Sequence, residues 1–575
     1  MSIRRAQEIL KNPALPWIVL ALVTTACLAP FSGKAFHIDD TLFLQAAKHI
    51  QSNPGNPYGF SVNWYGTATP MSQIMKNPPL SCYFIALSAR LAGWDETALR
   101  LAFLVPALAV ILGTYQLAGH FCKNPLISAF LTLLSPAFLV SGATLMCDIP
   151  MLAFWVWAVV LWIKGVEKSD SLRLVSAAVL ITLSALTKYY GMSLIPLLLA
   201  YTAFKKRGLG MWMAYLLIPV AVLGWYQYAT HALYGRGLLL DAAEYATGTR
   251  EDLGATLFPK TLVGLAFSGG CFLAVLAYAF LLWSRRWIAF GALSVGVLML
   301  IASSMDSICG FSLANVGGQG RWLLIFQLGG FATVGIGLII LAVSEVALRR
   351  DADSVLVVFW TIGTLLFAAY VNWTVNVRSI LPLLPAASIL LMRRIEQRGA
   401  PRQPRTHHGK KKKTPAARTG SSLLSAGRLI GPLVPLGIIA LLVAHADFKL
   451  ANSARTAAAE IRKQYSRDRI LFEGHWGFQY YMEALNGKAV DFQNAAEAVP
   501  GDVLVIPVNN TNIQPVPEGI ASLLPDLKFD AGRWLTTMNP AVGAGFYSDL
   551  WGPLPYAFGS VPPEKYLVYR INPHS

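Results

Sequence analysis

Apolar runs recur along this chain at lengths suited to lipid, parted by short polar stretches. They fall at about 14 to 30, 98 to 118, 126 to 145, 149 to 163, 174 to 187, 189 to 204, 211 to 228, 261 to 283, 287 to 304, 322 to 343, 355 to 371, 379 to 392 and 429 to 445. The pattern predicts a polytopic α-helical membrane protein with about thirteen transmembrane helices. The runs beginning at Ile149, Leu174 and Ser379 are shorter than the ~20 residues that cross a bilayer, so flanking polar residues or neighbouring helices must complete them. Arg4, Arg5 and Lys11 precede the first run as in a signal peptide. No small-residue cleavage site precedes the acidic pair Asp39-Asp40, and many runs follow, so an uncleaved anchor is expected.

Between the first and second runs lies a long loop, residues 32–97, opened by Asp39-Asp40. Leu42, Phe43, Ala46, Ala47 and Ile50 share one helical face, with Gln45, Lys48 and His49 on another. Residues 80–91, LSCYFIALSARL, are apolar but too short to span. The loop is therefore expected to hold two interfacial helices joined by a Gly/Pro/Asn-rich turn region, Asn53 to Pro70.

Composition agrees with a lipid solvent: 55% of the 575 residues are hydrophobic and only 13% charged. The net charge of +17 would suggest nucleic acid if it lay on one soluble face, so its distribution decides its meaning. With the N-terminus cytoplasmic, alternate loops hold Lys123, then Lys164, Lys168 and Arg173, then Lys205-Lys206-Arg207, Arg285-Arg286 and Arg349-Arg350. The basic loop 393–428 follows on the same side, with eleven Lys or Arg against the single Glu396. The opposite loops are poor in such residues, apart from the mixed-charge 229–260 loop, so the positive-inside rule puts the N-terminus inside and the C-terminus outside. Most of the excess charge is then topological. The Lys410 to Lys413 run reads as a tether near anionic lipid, and no nucleic-acid partner is expected. Long cationic loops without retention signals suit a bacterial plasma membrane.

The chain divides by composition into a transmembrane module, 1–446, and a soluble outer-side domain, 447–575, with eleven Lys/Arg against thirteen Asp/Glu. In the latter, Arg469 to Glu473 and Asp502 to Pro507 read as strands and Gly477 to Leu485 as a helix, which predicts an α/β domain. It contains no nucleophile elbow, phosphate loop or metal motif. The six cysteines have no ligand-like spacing and read as buried thiols.

Ionisable residues at the outer ends of spans are the candidate chemistry, because charge beside hydrocarbon is expensive. They are Asp39, Asp40, Lys76, Asp148, Lys188, Asp306, Arg321 and Arg378. Carboxylates together with cations suit a reaction in which a hydroxyl loses its proton while a phosphate departs. Plainer readings exist: Asp39-Asp40 and Asp148 could cap helices, and the cations could snorkel to lipid headgroups. Those readings do not explain why both signs collect on one side.

These residues resemble a membrane glycosyltransferase of the GT-C class, family 39, which includes the protein O-mannosyltransferases and the lipid A aminoarabinose transferase. The shared pattern is an acidic pair after the first span, Pro78-Pro79-Leu80 closing the first loop, and Asp148 with Pro150 opening a later span. It continues with Lys188 in Leu-Thr-Lys and with Arg378 ahead of Leu381 to Pro385. The resemblance implies transfer of a sugar from a polyprenyl-phosphate donor to an acceptor hydroxyl on a glycan, lipid or protein, normally with inversion. It implies Asp39 as base, Asp40 in a second acidic slot usually held by Glu, and Lys188 and Arg378 on the donor phosphate. Asp148 would position donor or acceptor, with Arg321 and Lys76 as further phosphate-binding candidates. In the family, Lys commonly stands directly before the first Pro of the motif, where this chain has Asn77. Hard carboxylates at Asp39, Asp40 and Asp148 could bind a divalent cation, but no His or Cys reinforces that set, and no obligatory cofactor is expected. A lipid-linked sugar transporter or flippase is the alternative; such proteins often show related halves and midplane polar sites, and no internal repeat is evident here.

Overall fold

A computed structural model of the protein describes residues 12–252, 257–314, 320–399, 427–493 and 498–573. The Lys410 to Lys413 run lies outside the described residues. Every apolar run of the sequence forms helix, but not always one straight helix. Among the described residues, six helices are long and apolar enough to cross a membrane: Glu96–Phe121, Asp148–Lys168, Arg285–Ser303, Trp322–Arg349, Ala352–Val371 and Gly427–Gln464. A seventh arises if Pro125–Leu133 and Pro136–Gly142, bent by 64°, count as one. The bend sits where Pro136 cannot donate to the preceding turn and the Ser135 side chain instead accepts the Phe138 N–H. Leu15–Leu28 and Ser171–Thr187 are shorter, as the sequence pattern suggests for the latter.

Close helix packing depends on absent side chains. Gly269 and Gly335 face each other's helices: a Cβ at Gly269 would lie 1.9 Å from the Phe331 carbonyl oxygen, and one at Gly335 2.2 Å from that of Leu265. Helices Leu257–Cys271 and Trp322–Arg349 therefore approach backbone to backbone.

In the first loop, Asp40–Ser52 and Leu80–Ala92 are helices packed on each other, and the second also packs on Glu96–Phe121. The turn region between them is more ordered than its Gly/Pro content suggests, with a hairpin pairing Ser61–Asn63 to Ala68–Pro70. The 229–260 loop likewise holds a helix, Leu238–Asp252, whose mixed polar and apolar content gives no long periodic signal.

The composition change at residue 447 is not a break in the chain. One helix, Leu433–Gln464, carries an apolar half and then a polar half without interruption. Beyond it, a five-stranded sheet has the order Lys488–Ala489, Ile470–Phe472, Val503–Pro507, Glu564–Ile571, Ala521–Phe529. The first three strands are parallel and Glu564–Ile571 runs antiparallel to both neighbours. The helix Trp476–Ala484 packs beneath it through aromatics, with Phe478 against Phe472 and Tyr566. This region is bonded to the helical part at several points: Val377 N–H donates to the Phe546 carbonyl, and the Tyr556 hydroxyl to that of Gly270.

Candidate active site

The segment 34–40 reaches the first-loop helix through an unusual turn. Ile38 has φ 48°, a left-handed conformation that a β-branched side chain rarely adopts and that costs ~1–3 kcal/mol. Asp39 follows as the residue ahead of the helix Asp40–Ser52, yet its side chain makes no cap hydrogen bond. One of its carboxylate oxygens instead accepts from Arg378 Nη1 at 2.8 Å, and the side chain keeps about a third of its exposure. The capping role that the sequence allows for Asp39 is therefore not the one its carboxylate plays.

Asp40 turns the other way, as successive residues at a helix start do. It is fully buried, one oxygen accepting the Leu145 N–H at 2.8 Å and the other the His37 N–H at 3.1 Å and Arg100 Nη2 at 3.2 Å. Both oxygens are thus committed to the protein, and Asp40 acts here as an anchor of the loop rather than as a second open acid. Arg100, which sequence reasoning missed, also donates to the carbonyls of Lys34, Ala35 and Ala143. The signal was an arginine near the start of an apolar run, in LRLAF.

Asp148 opens its helix with Cys147 as the preceding residue and no side-chain cap. Its Oδ1 accepts from Lys188 Nζ at 2.6 Å, and Asp148 is buried while Lys188 is half-buried at the end of Ser171–Thr187. Arg378 feels the charges of both Asp39 and Asp148, so the two ion pairs form one cluster. Two buried polar atoms of that cluster, Arg378 Nε and Asp148 Oδ2, have no partner among the described residues. Buried polar groups are nearly always paired, so these point to a ligand or water. Tyr65 joins the rim: burial raises its hydroxyl pKa first, then Tyr245 and Asp39 do.

The other candidates are placed elsewhere. Lys76 pairs with Asp241 at 2.6 Å, which also holds Arg236 at 2.5 Å, and lies over the Tyr245 ring. Arg321 is not brought into the cluster; its guanidinium donates to the carbonyls of Ser312, Pro540 and Ala541 and covers the Phe311 ring. Asp306 is exposed beside the strand Ser307–Ile308. Asp39, Asp40 and Asp148 are each taken by a different cation, and among the described residues no three His, Cys, Asp or Glu side chains gather as a metal site.

The polar contacts behind the site include a titratable one. Glu564 is buried and accepts from Asn509 Nδ2 at 3.1 Å and Asn539 Nδ2 at 3.4 Å; burial pushes its carboxyl from 4.5 up to about 7. The folded state therefore holds that proton more tightly than the unfolded chain. Its contribution to stability is full below 4.5 and is lost as pH rises through about 7. Asp549, buried beside Val375, shifts the same way to about 7. Glu564→Gln should keep the amide contacts and remove part of this fall, which thermal unfolding of the purified protein on both sides of the window will show. An unchanged pH slope in the variant would count against the assignment.

The family model described as dolichyl-phosphate-mannose-protein mannosyltransferase matches residues 76–226. That segment carries Pro78-Pro79-Leu80, Asp148 and Lys188, and leaves Asp39 and Arg378 outside it. Among solved structures, the chain matches the Archaeoglobus fulgidus oligosaccharyltransferase tethered with an acceptor peptide, at 14% identity and TM-score 0.48, over 84% of this chain and 64% of that one. The chain therefore spans somewhat under two-thirds of that protein's length. It also matches ArnT from Cupriavidus metallidurans bound to undecaprenyl phosphate, at 13% identity and TM-score 0.41, over 86% of this chain and 93% of that one. A third match is the arabinosyltransferase EmbB from Mycobacterium smegmatis, at 14% identity and TM-score 0.31, over 88% of this chain and 45% of that one. No curated protein matches the chain. Over residues 76–226 the chain is similar to the mannosyltransferase family, which bears out the glycosyltransferase resemblance read from its sequence.

Proposed function

We propose that this chain is a membrane glycosyltransferase that moves a sugar from a polyprenyl-phosphate donor to an acceptor hydroxyl, with Asp39 as general base. The observation that carries the reading is the uncapped, partly exposed Asp39 carboxylate held at 2.8 Å from Arg378 within reach of the Lys188–Asp148 pair. Such a set can take a proton at one point and meet a phosphate anion at the next. The acceptor O–H gives its proton to a free Asp39 oxygen while the acceptor oxygen attacks the anomeric carbon. The bond from that carbon to the phosphate oxygen breaks, its electron pair stays on the phosphate, and the configuration inverts. Arg378 and Lys188 hold the departing anion, an arrangement that favours the charge developing in the transition state. Asp148 fixes Lys188, and no obligatory metal enters this sequence.

In this reading the thirteen apolar runs all lie in or across a bacterial plasma membrane, with the N-terminus cytoplasmic. Residues 447–575 then stand on the outer side together with the acidic pair. The basic residues of the cytoplasmic loops support that sidedness through the positive-inside rule. The proposal is separated from a lipid-linked sugar flippase by incubating the purified chain, reconstituted in vesicles, with a donor labelled in the sugar. Label leaving the lipid for a water-soluble or acceptor-bound form is the expected result. Label that crosses the bilayer while staying on its lipid would establish the flippase instead.

A further inference from the structure

We infer that residues 447–573 are the template that holds Asp39 in its working direction, with Asp447 and Tyr481 as positioning residues. This inference rests on the reading of Asp39 as the base. A left-handed, β-branched Ile38 persists only where its surroundings over-determine the backbone. The groups that bond the backbone donors and acceptors of the segment before it fix that conformation.

The Ala35 N–H donates to Asn452 Oδ1 at 2.8 Å and the Phe36 N–H to the Tyr481 hydroxyl at 2.8 Å. The His37 N–H goes to Asp40, and the Lys34 and Ala35 carbonyls go to Arg100. Two of the three N–H groups from Ala35 to His37 are thus held from the C-terminal region. The Tyr481 hydroxyl is itself oriented, donating to Glu96 Oε1 at 2.8 Å, which Arg455 holds at 3.0 Å. Gly477 presses on the same stretch, since a Cβ there would lie 2.1 Å from the Phe36 carbonyl oxygen.

The Lys34 side chain is fixed as firmly. It pairs with Asp447 in full burial, and the Asp447 carboxylate also accepts from Thr537 Oγ1 at 2.7 Å and the Tyr547 hydroxyl at 3.0 Å. The Tyr547 ring stands edge-on to His37, with centroids 5.5 Å apart. Burial pushes His37 down to about 3, so it stays a neutral packing group. Lys34 and Asp447 are 413 positions apart in the chain. The helix Leu433–Gln464 thereby sets the entry angle of the first loop, four residues before the strained turn at Ile38.

The full chain carrying Tyr481→Phe, which removes one hydroxyl, and Asp447→Asn test this beside Asp39→Asn. A displaced base should cost about ten- to a hundredfold in kcat, while the Kd for polyprenyl phosphate stays close to that of the parent in both variants and the thermal midpoint does so in Tyr481→Phe. If Asp447→Asn does not fold because Lys34 is left buried without a counter-charge, the pair Lys34→Met with Asp447→Leu removes both charges and should show the same split. A stable Tyr481→Phe with parental kcat, or one that loses lipid affinity and stability in step with kcat, overturns the inference. If Asp39→Asn itself keeps its turnover, the reading of the base fails instead, whatever Tyr481→Phe does.

Discussion

Asp39→Asn should lower sugar transfer by ~100- to 10,000-fold, the range that a positioned general base contributes. Asparagine keeps the size of the side chain and can still accept from Arg378 Nη1, now at 2.8 Å from an Asp39 oxygen. What it loses is the capacity to take a proton. Because the Asp39 side chain makes no cap hydrogen bond, the helix Asp40–Ser52 should form as before, and the protein should insert and purify like the parent. Asp40→Asn is the contrasting variant. Asp40 is buried against Arg100 and two N–H groups, so its loss should appear first as lower stability. Turnover assays on both variants, with thermal unfolding alongside, separate the two acids. Near-parental turnover in Asp39→Asn would remove it from the mechanism.

The difference between those neighbours marks how far the sequence could be read. The helix at 40–52 was legible because its apolar positions repeat at helical spacing, and that at 80–92 because its apolar run is too short to span a bilayer. Asp39, Asp148, Lys188 and Arg378 were legible as a group because they sit near the ends of apolar runs, where charge is costly. Their division into two pairs was not, since nothing in the sequence says which carboxylate meets which cation. Asp40 shared its neighbour's signal but faces into the protein, and its partner Arg100 is 60 positions away. Arg321 carried the same signal as Arg378, yet it sits ahead of Trp322–Arg349 and finds the carbonyls of Pro540 and Ala541. The Lys34–Asp447 pair joins residues 413 positions apart, at what composition marks as a domain boundary. A compositional border reports a change of solvent, and a helix can cross it unbroken, as Leu433–Gln464 does.

Arg378 offers the second large effect. Its Nη1 holds Asp39, its Nε has no partner among the described residues, and Asp148 lies within its electrostatic reach. A guanidinium so placed can keep the base oriented with one edge and meet a phosphate oxygen with another, which a single ammonium cannot do. Arg378→Gln should therefore cost ~100- to 1,000-fold in kcat, the scale of losing one preorganised donor at a developing charge. Arg378→Lys should recover only a small part, because it restores charge without the fork. The donor's KM should rise in both. The double variant with Asp39→Asn gives the sharper measurement. Groups acting as one unit lose little more together than singly, so the double should turn over at nearly the rate of Asp39→Asn alone. Strictly additive losses would mean that Arg378 and Asp39 serve separate steps, and their contact at 2.8 Å would then be only structural.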